Sequence, residues 1–240
     1  MPLLMTELRL PHIPNNVYES KEAALLAPTH PFRLVECTSC KYYYNDLFDD
    51  LLYIDSLYQN SQAHSTRFQQ HLLDVANRIL QLVGRDCSIL EIGCGKGYFI
   101  DLLKRLGCTN IHGYDSTYDG SDASIKPRYF TEEDQGMSAK VILLRHTLEH
   151  IRNPVDFLKR IIDINGREDA LIFIEVPCFD WILRNQAFWD LTIEHCNYFN
   201  AESFRALFRR PAIDHVFDQQ YLLVSSMASE LNLCSLDSAT

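Results

Sequence analysis

From His64 to Val83 the apolar residues Phe68, Leu72, Val75, Ile79 and Leu82 recur three or four positions apart, and Gly84 stands where such a helix stops. Beyond it, short β-rich runs alternate with helical patterns: Ser88 to Ile92, Tyr98 to Leu106, Ile111 to Tyr114, Lys140 to Leu144, Pro154 to Ile164 and Leu171 to Val176. That rhythm predicts a mostly parallel sheet with helices on both faces. Asn153-Pro154 supplies an N-cap and a first-turn proline, after which Phe157, Leu158, Ile161 and Ile162 form a buried side; Gly107 ends the helix that starts at Tyr98. Ile213 to Phe217 and Tyr221 to Ser225 flank Asp218-Gln219-Gln220, as an antiparallel pair finishing the sheet would.

The remaining stretches lack such periods. Residues 1–60 show neither helical spacing nor alternation, carry Pro2, Pro11, Pro14, Pro28 and Pro31, and contain the aromatic run Tyr42-Tyr43-Tyr44, which predicts an N-terminal accessory lobe before a main domain over 61–227. Residues 177–200 follow a strand, hold both tryptophans and are too long for a plain connection, so a cover over a ligand crevice is expected there. The polar tail, 228–240, is expected to be loose.

Composition narrows the class. With 47% hydrophobic residues among 240, the chain can bury a sizeable core. Its 22 Lys+Arg against 32 Asp+Glu give a net charge of -10, and the basic residues occur as isolated pairs, so nucleic acid is not an expected partner. The apolar start is broken by Glu7 and Arg9, and no apolar run is long enough to span a membrane. Eight scattered cysteines then read as reduced thiols of a cytoplasmic protein.

The sharpest motif is Ile89-Leu90-Glu91-Ile92-Gly93-Cys94-Gly95-Lys96-Gly97, a hydrophobic strand running into three alternate glycines and a helix start. Such a turn lets a ligand lie against bare backbone and offers it unpaired N–H groups. Asp115 ends the next predicted strand, where an acid can meet both hydroxyls of a ribose. Dinucleotide sites favour G-x-G-x-x-G and a pyrophosphate, which a carboxylate at Glu91 would repel. The spacing here is G-x-G-x-G, and Glu91 suits a ligand carrying ammonium and sulfonium groups, the electrostatic description of S-adenosylmethionine. A nicotinamide-dependent oxidoreductase is the alternative that the same turn permits.

On this block the chain resembles the class I S-adenosylmethionine-dependent methyltransferases, over about residues 64–227. The segment Val141-Ile-Leu-Leu-Arg-His-Thr-Leu-Glu-His-Ile-Arg-Asn-Pro154 resembles that family's fourth strand and the turn into its next helix. The resemblance implies a Rossmann-like α/β fold, with a seven-stranded mostly parallel sheet, helices on both faces, an antiparallel final pair and, here, a small N-terminal lobe. It implies that Glu91, Gly93, Cys94, Gly95 and Gly97 surround the methionine end of the cofactor and Asp115 its ribose. Tyr129-Phe130 would lie near adenine, and Arg145-His146 would border the cofactor.

Ile193-Glu194-His195-Cys196-Asn197-Tyr198-Phe199 resembles a block of the sugar-nucleotide C-methyltransferases and related polysaccharide-biosynthesis enzymes. Carbon methylation beside a ketone needs a base. On this resemblance His195 is the candidate base, Glu194 its orienter and His150 a second polar group facing the acceptor, a sugar nucleotide or glycan precursor. That group carries a tyrosine where this chain has Thr192 and Ile193, and Tyr58 is the candidate replacement. It also carries an N-terminal zinc lobe, matched here by one C-x-x-C, Cys37 to Cys40; only His12 and His30 could complete a zinc set, so a thiol-lined remnant without metal is expected. Oxygen or nitrogen methylation of another small molecule, and a non-catalytic partner role, stay open.

Overall fold

A computed structural model describes residues 2–14, 16–49 and 65–232. The predicted sheet is present. It runs through β4 (Ile89–Ile92), β5 (Ile111–Tyr114), β6 (Ile125–Lys126), β7 (Val141–Arg145), β8 (Leu171–Pro177), β10 (Ala212–Val216) and β11 (Tyr221–Met227) in the order β10-β11-β8-β7-β4-β5-β6. The five central and right-hand strands are parallel, while β11 lies antiparallel to both β8 and β10. Direction reverses about β4: β5 and β6 lie on one side and β7 and β8 on the other, which puts a crevice outside the carboxyl ends of β4 and β7.

Strand alternation sorts the core into two layers. Leu90, Ile92, Ile142 and Leu144 face a cluster with Val155, Leu158 and Ile161 of α4 (Pro154–Asn165) and Phe204 and Leu207 of α6 (Ala201–Leu207). Ile89, Val141 and Leu143 face the opposite cluster, with Phe68, Leu72, Val75 and Ile79 of α2 (Thr66–Val83) and Phe99, Ile100 and Leu103 of α3 (Tyr98–Arg105). Ser65 caps α2 by accepting from the Phe68 N–H at 3.3 Å. Leu82, on the same predicted stripe, is 68% exposed, because helical spacing sets a direction and not where the partner surface ends. Asn153 precedes α4 as predicted, but its side chain makes no capping hydrogen bond.

The N-terminal residues form strands that their sequence does not announce. β1 (Pro2–Pro11) and β2 (Thr29–Cys37) make a long antiparallel pair, β3 (Tyr43–Asn45) adds to β2, and β9 (Asn197–Tyr198) of the expected cover adds to β3. Leu3, Leu4, Met5 and Leu8 are all exposed, so β1 has no buried face to impose alternation. A five-residue helix, α1 (Lys21–Leu25), lies between β1 and β2. Within 177–200, α5 (Phe179–Asn185) places Phe179 and Ile182 against Phe32 and Leu34 of β2, so lobe and cover share one apolar cluster.

One expectation about the chain's end is corrected. Residues 228–232 are packed: the Ala228 N–H donates to the Ala170 carbonyl at 2.8 Å, and Ala228 and Leu231 are buried, since the main domain's core extends past β11. The zinc set fails on distance. His30 sits seven residues along β2 from Cys37, about 23 Å at strand rise, and its ring instead contacts His12 at 4.9 Å. Tyr58 lies outside the described residues, as do 233–240.

Candidate active site

The glycine turn after β4 is held from both sides. Gly93 has φ +74°, and a Cβ there would come within 2.3 Å of the Thr147 Oγ1, so the chain segments after β4 and β7 pass too closely for any other residue. At Gly95, with φ +54°, a Cβ would meet nothing within 4 Å, which leaves open space against bare backbone. Gly97 is the N-cap of α3. Asp115 closes the turn from the end of β5: its Oδ2 accepts from the Gly95 N–H at 2.7 Å, and its Oδ1 accepts from the Thr117 N–H and hydroxyl at 2.8 and 2.7 Å. The Cys94 side chain points into the α3-side core, so only its backbone belongs to the turn.

Glu91 is 2% exposed, and its Oε2 has no hydrogen-bond partner. Its Oε1 lies 3.9 Å from Arg145, which donates from Nε to the Glu175 Oε2 at 2.8 Å and stacks over Phe99. His71 of α2 closes the chain by bonding the other Glu175 oxygen. Burial raises the Glu91 carboxyl to about 7 against the pull of Arg145, with Glu175 and Asp115 adding to the rise. At Glu175 burial acts the same way, but Arg145 and His71 overcome it and hold that carboxyl at about 2. A buried acid with an orphaned oxygen beside an open glycine fits a cationic amino-acid headgroup, and an S-adenosylmethionine ammonium suits this donor set.

Two residues expected beside the cofactor make contacts of their own. Phe130 is 7% exposed and packs edge-on against Tyr114 at 5.0 Å, because its strand-end neighbours draw it into the core; Tyr129 is the exposed one of the pair. His146 sits just past β7 with φ +50°, its N–H donating to the Glu175 carbonyl at 2.8 Å and its ring against Tyr221. Its Nδ1 is 3.6 Å from Glu149, and its Nε2 makes no hydrogen bond.

The acceptor-side residues converge differently from expectation. His150 and His195 do meet, with ring centroids 4.8 Å apart. Their acid partner is Glu149: His146, His150 and His195 act on its carboxylate and hold it below its ordinary value although burial works to raise it. Glu194 meets His150 through its backbone carbonyl, 3.0 Å from Nδ1. Burial, with His150 adding, pushes His195 down to about 3, which removes the near-neutral proton affinity that made it attractive as a base. Sequence reasoning passed over Glu149 even though it lies inside the Leu148-Glu149-His150 block that carried the resemblance; a carboxylate one residue before a histidine was the available signal.

The rest of the Ile193–Phe199 block is structural. Asn197 accepts from the Tyr42 hydroxyl and donates to the Leu148 and Ile151 carbonyls, while the Tyr198 hydroxyl donates to the Thr192 carbonyl at 3.1 Å and accepts from its N–H. Among the described residues no helix is long and apolar enough to cross a membrane.

Comparisons with known proteins bear on the fold and the family. A protein from Pyrococcus horikoshii OT3, PH0226, superposes with a TM-score of 0.52 at 11% identity, covering 70% of this chain and 94% of that one. The methyltransferase domain of bacterial CtHen1 superposes at 0.50 with 16% identity, over 67% and 99%. A structure from Nostoc punctiforme PCC 73102 with a provisional O-methyltransferase assignment gives 0.49 at 16% identity and 67% coverage, and this chain spans 57% of its length. Curated protein sequences gave no match. The family description of a methyltransferase domain matches residues 63–210, from the start of α2 through the β7 and β8 edge to α6. The chain belongs to this methyltransferase-domain family, and the fold that residues 63–210 build is that of an S-adenosylmethionine-dependent methyltransferase domain.

Proposed function

We propose that the chain moves a methyl group from S-adenosylmethionine to a hydroxyl of a small polar acceptor at the carboxyl edge of β4 and β7. The observation that carries the cofactor half is Glu91, a buried carboxylate with an unpartnered oxygen beside a glycine whose Cβ position is open. When bound, the cofactor supplies a sulfonium-activated methyl group. Glu91 would hold its ammonium and Asp115 its ribose, the latter trading one of the turn's own bonds for the ligand. Gly93, Gly95, Gly97 and the Cys94 backbone would let it lie close.

The buried grouping of His195 with His150 and Glu149 supports a hydroxyl acceptor over a carbon one. A histidine held at about 3 is too weak to take an α-proton from a ketone, whereas methyl transfer to a hydroxyl asks chiefly for positioning and exclusion of water. His150, His195 and Glu149 would orient that oxygen. The acceptor class that we favour is a sugar nucleotide or glycan precursor, supported by the Ile193–Phe199 block; carbon methylation with His195 as base and Glu194 as orienter is the second reading, supported by the same block.

Calorimetry with S-adenosylmethionine, its demethylated product and NADH tests the cofactor: binding of both sulfur ligands without NADH is expected, and the reverse pattern overturns it. Transfer of labelled methyl to a panel of nucleotide sugars, with the product read by carbon NMR, then distinguishes an O-methyl from a C-methyl group.

A further inference from the structure

We propose that Glu149, His150 and His195 form a binding site for a divalent transition-metal cation. One ligand atom from each of the three lies within 4.8 Å of the others. Two donors about 2.1 Å from one ion stand at most about 4.2 Å apart, so small side-chain rotations close the site. Two imidazoles and one carboxylate are a donor set suited to iron, cobalt, manganese or zinc.

Three features point to a cation over a purely structural cluster. The Glu149 side chain is 2% exposed, yet its Oε2 accepts no hydrogen bond, an expensive state for a carboxylate that a cation would relieve. The His150 Nδ1 lies 3.0 Å from a carbonyl that can only accept, so Nδ1 carries the proton and Nε2 the lone pair, the outer-shell arrangement that orients metal-binding imidazoles. The His195 ring is hydrogen-bonded to the Asp190 backbone, which fixes it in the same manner. His146, whose Nδ1 lies 3.6 Å from the Glu149 carboxylate, directly follows the Arg145 that faces Glu91, so cluster and cofactor turn share one edge of the sheet. A cation here would hold an acceptor oxygen and lower its proton affinity. That use rests on the methyl-transfer reading; the binding itself does not.

Tag-free protein titrated with Co2+ after chelation tests the site, read by calorimetry and by visible absorption, with cofactor affinity measured on the same samples. One ion per chain is expected, with affinity falling at least about tenfold in Glu149→Gln and His195→Gln while the Cys37→Ser/Cys40→Ser protein is unchanged. Substoichiometric binding, or native affinity retained in the Glu149→Gln and His195→Gln variants, overturns the proposal; loss only in the cysteine variant relocates the ion and overturns it equally. Should the variants not fold, Mn2+ broadening of histidine ring signals in the native chain decides: broadening confined to the cluster supports the site, and broadening elsewhere or none refutes it. Retained cofactor binding with no metal would sink this proposal alone, and the reverse would sink the cofactor reading alone.

Discussion

Glu91 pits stability against binding. A glutamate that would sit at 4.5 in an unfolded chain is held at about 7, so keeping it charged at pH 8 costs the ligand-free protein on the order of 3 kcal/mol. Because the folded value is raised, the native state is favoured at pH below 4.5 and that advantage is lost as pH climbs through 7. Glu91→Gln removes the penalty while Arg145 keeps Glu175, so thermal unfolding at pH 8 is expected several degrees higher and S-adenosylmethionine affinity at least about tenfold weaker. A variant with lower melting temperature and undiminished affinity would contradict the assignment. In the native protein a bound ammonium selects the charged carboxylate, so calorimetry from pH 6 to 8 should show affinity rising to about pH 7 and then levelling. His195 acts in the opposite window. Its folded value of about 3 lies below the unfolded 6.5, so its contribution to stability is complete above 6.5 and drains away as pH falls toward 3, an acid lability that His195→Gln should lessen in pH-dependent denaturation.

At the scale of elements, the two glycines of the turn make separable predictions. Gly95→Ala adds a methyl group into open space at φ +54°, costing about 1–2 kcal/mol of backbone strain, and that methyl would occupy the cofactor's approach. Gly93→Ala drives into Thr147 and should destabilise more. Urea unfolding alongside calorimetry is expected to show the first variant failing mainly in binding and the second mainly in folding; equal behaviour would mean that the turn has no ligand side. This contrast also shows what the sequence exposes. Strands buried on both faces leave continuous apolar runs and helices buried on one face leave helical spacing, so β4, β5, β7, β8, α2, α3 and α4 were legible along with the glycine turn and Asp115. β1 buries almost nothing and β6 is two residues long, so neither leaves a period to read. The His150 and His195 pairing was legible from a resembling block, but Glu149 required the turn after β7, and the burial of Phe130 was not legible because an aromatic next to a binding edge looks the same in sequence whether it faces solvent or core.

For the molecule as a whole, Asn197 is the joint on which the N-terminal strands, the 177–200 segment and the Glu149–His150–His195 cluster meet. Its amide accepts from Tyr42 beside β3, donates to the carbonyls of Leu148 and Ile151 on either side of Glu149 and His150, and sits two residues from His195. Tyr42 is buried against Phe199, so its hydroxyl has no water to fall back on when that partner is removed. Each buried polar group left unpaired costs about 1–3 kcal/mol, and Asn197→Ala strands one hydroxyl and two carbonyls at once. The expected result is a loss of roughly 3 kcal/mol or more in urea unfolding, together with faster limited proteolysis of the β1–β2 hairpin. Asn197→Asp keeps the acceptor for Tyr42 but presents a carboxylate to two carbonyls, so it should destabilise as well and cannot rescue the joint. Cofactor affinity separates a local from a global effect: the Glu91–Asp115 turn belongs to the main sheet and should bind S-adenosylmethionine near its native strength in Asn197→Ala. If cofactor affinity collapsed with the lobe, the glycine turn and the N-terminal sheet would be one cooperative unit, and the cover would act on both ligands instead of on the acceptor alone.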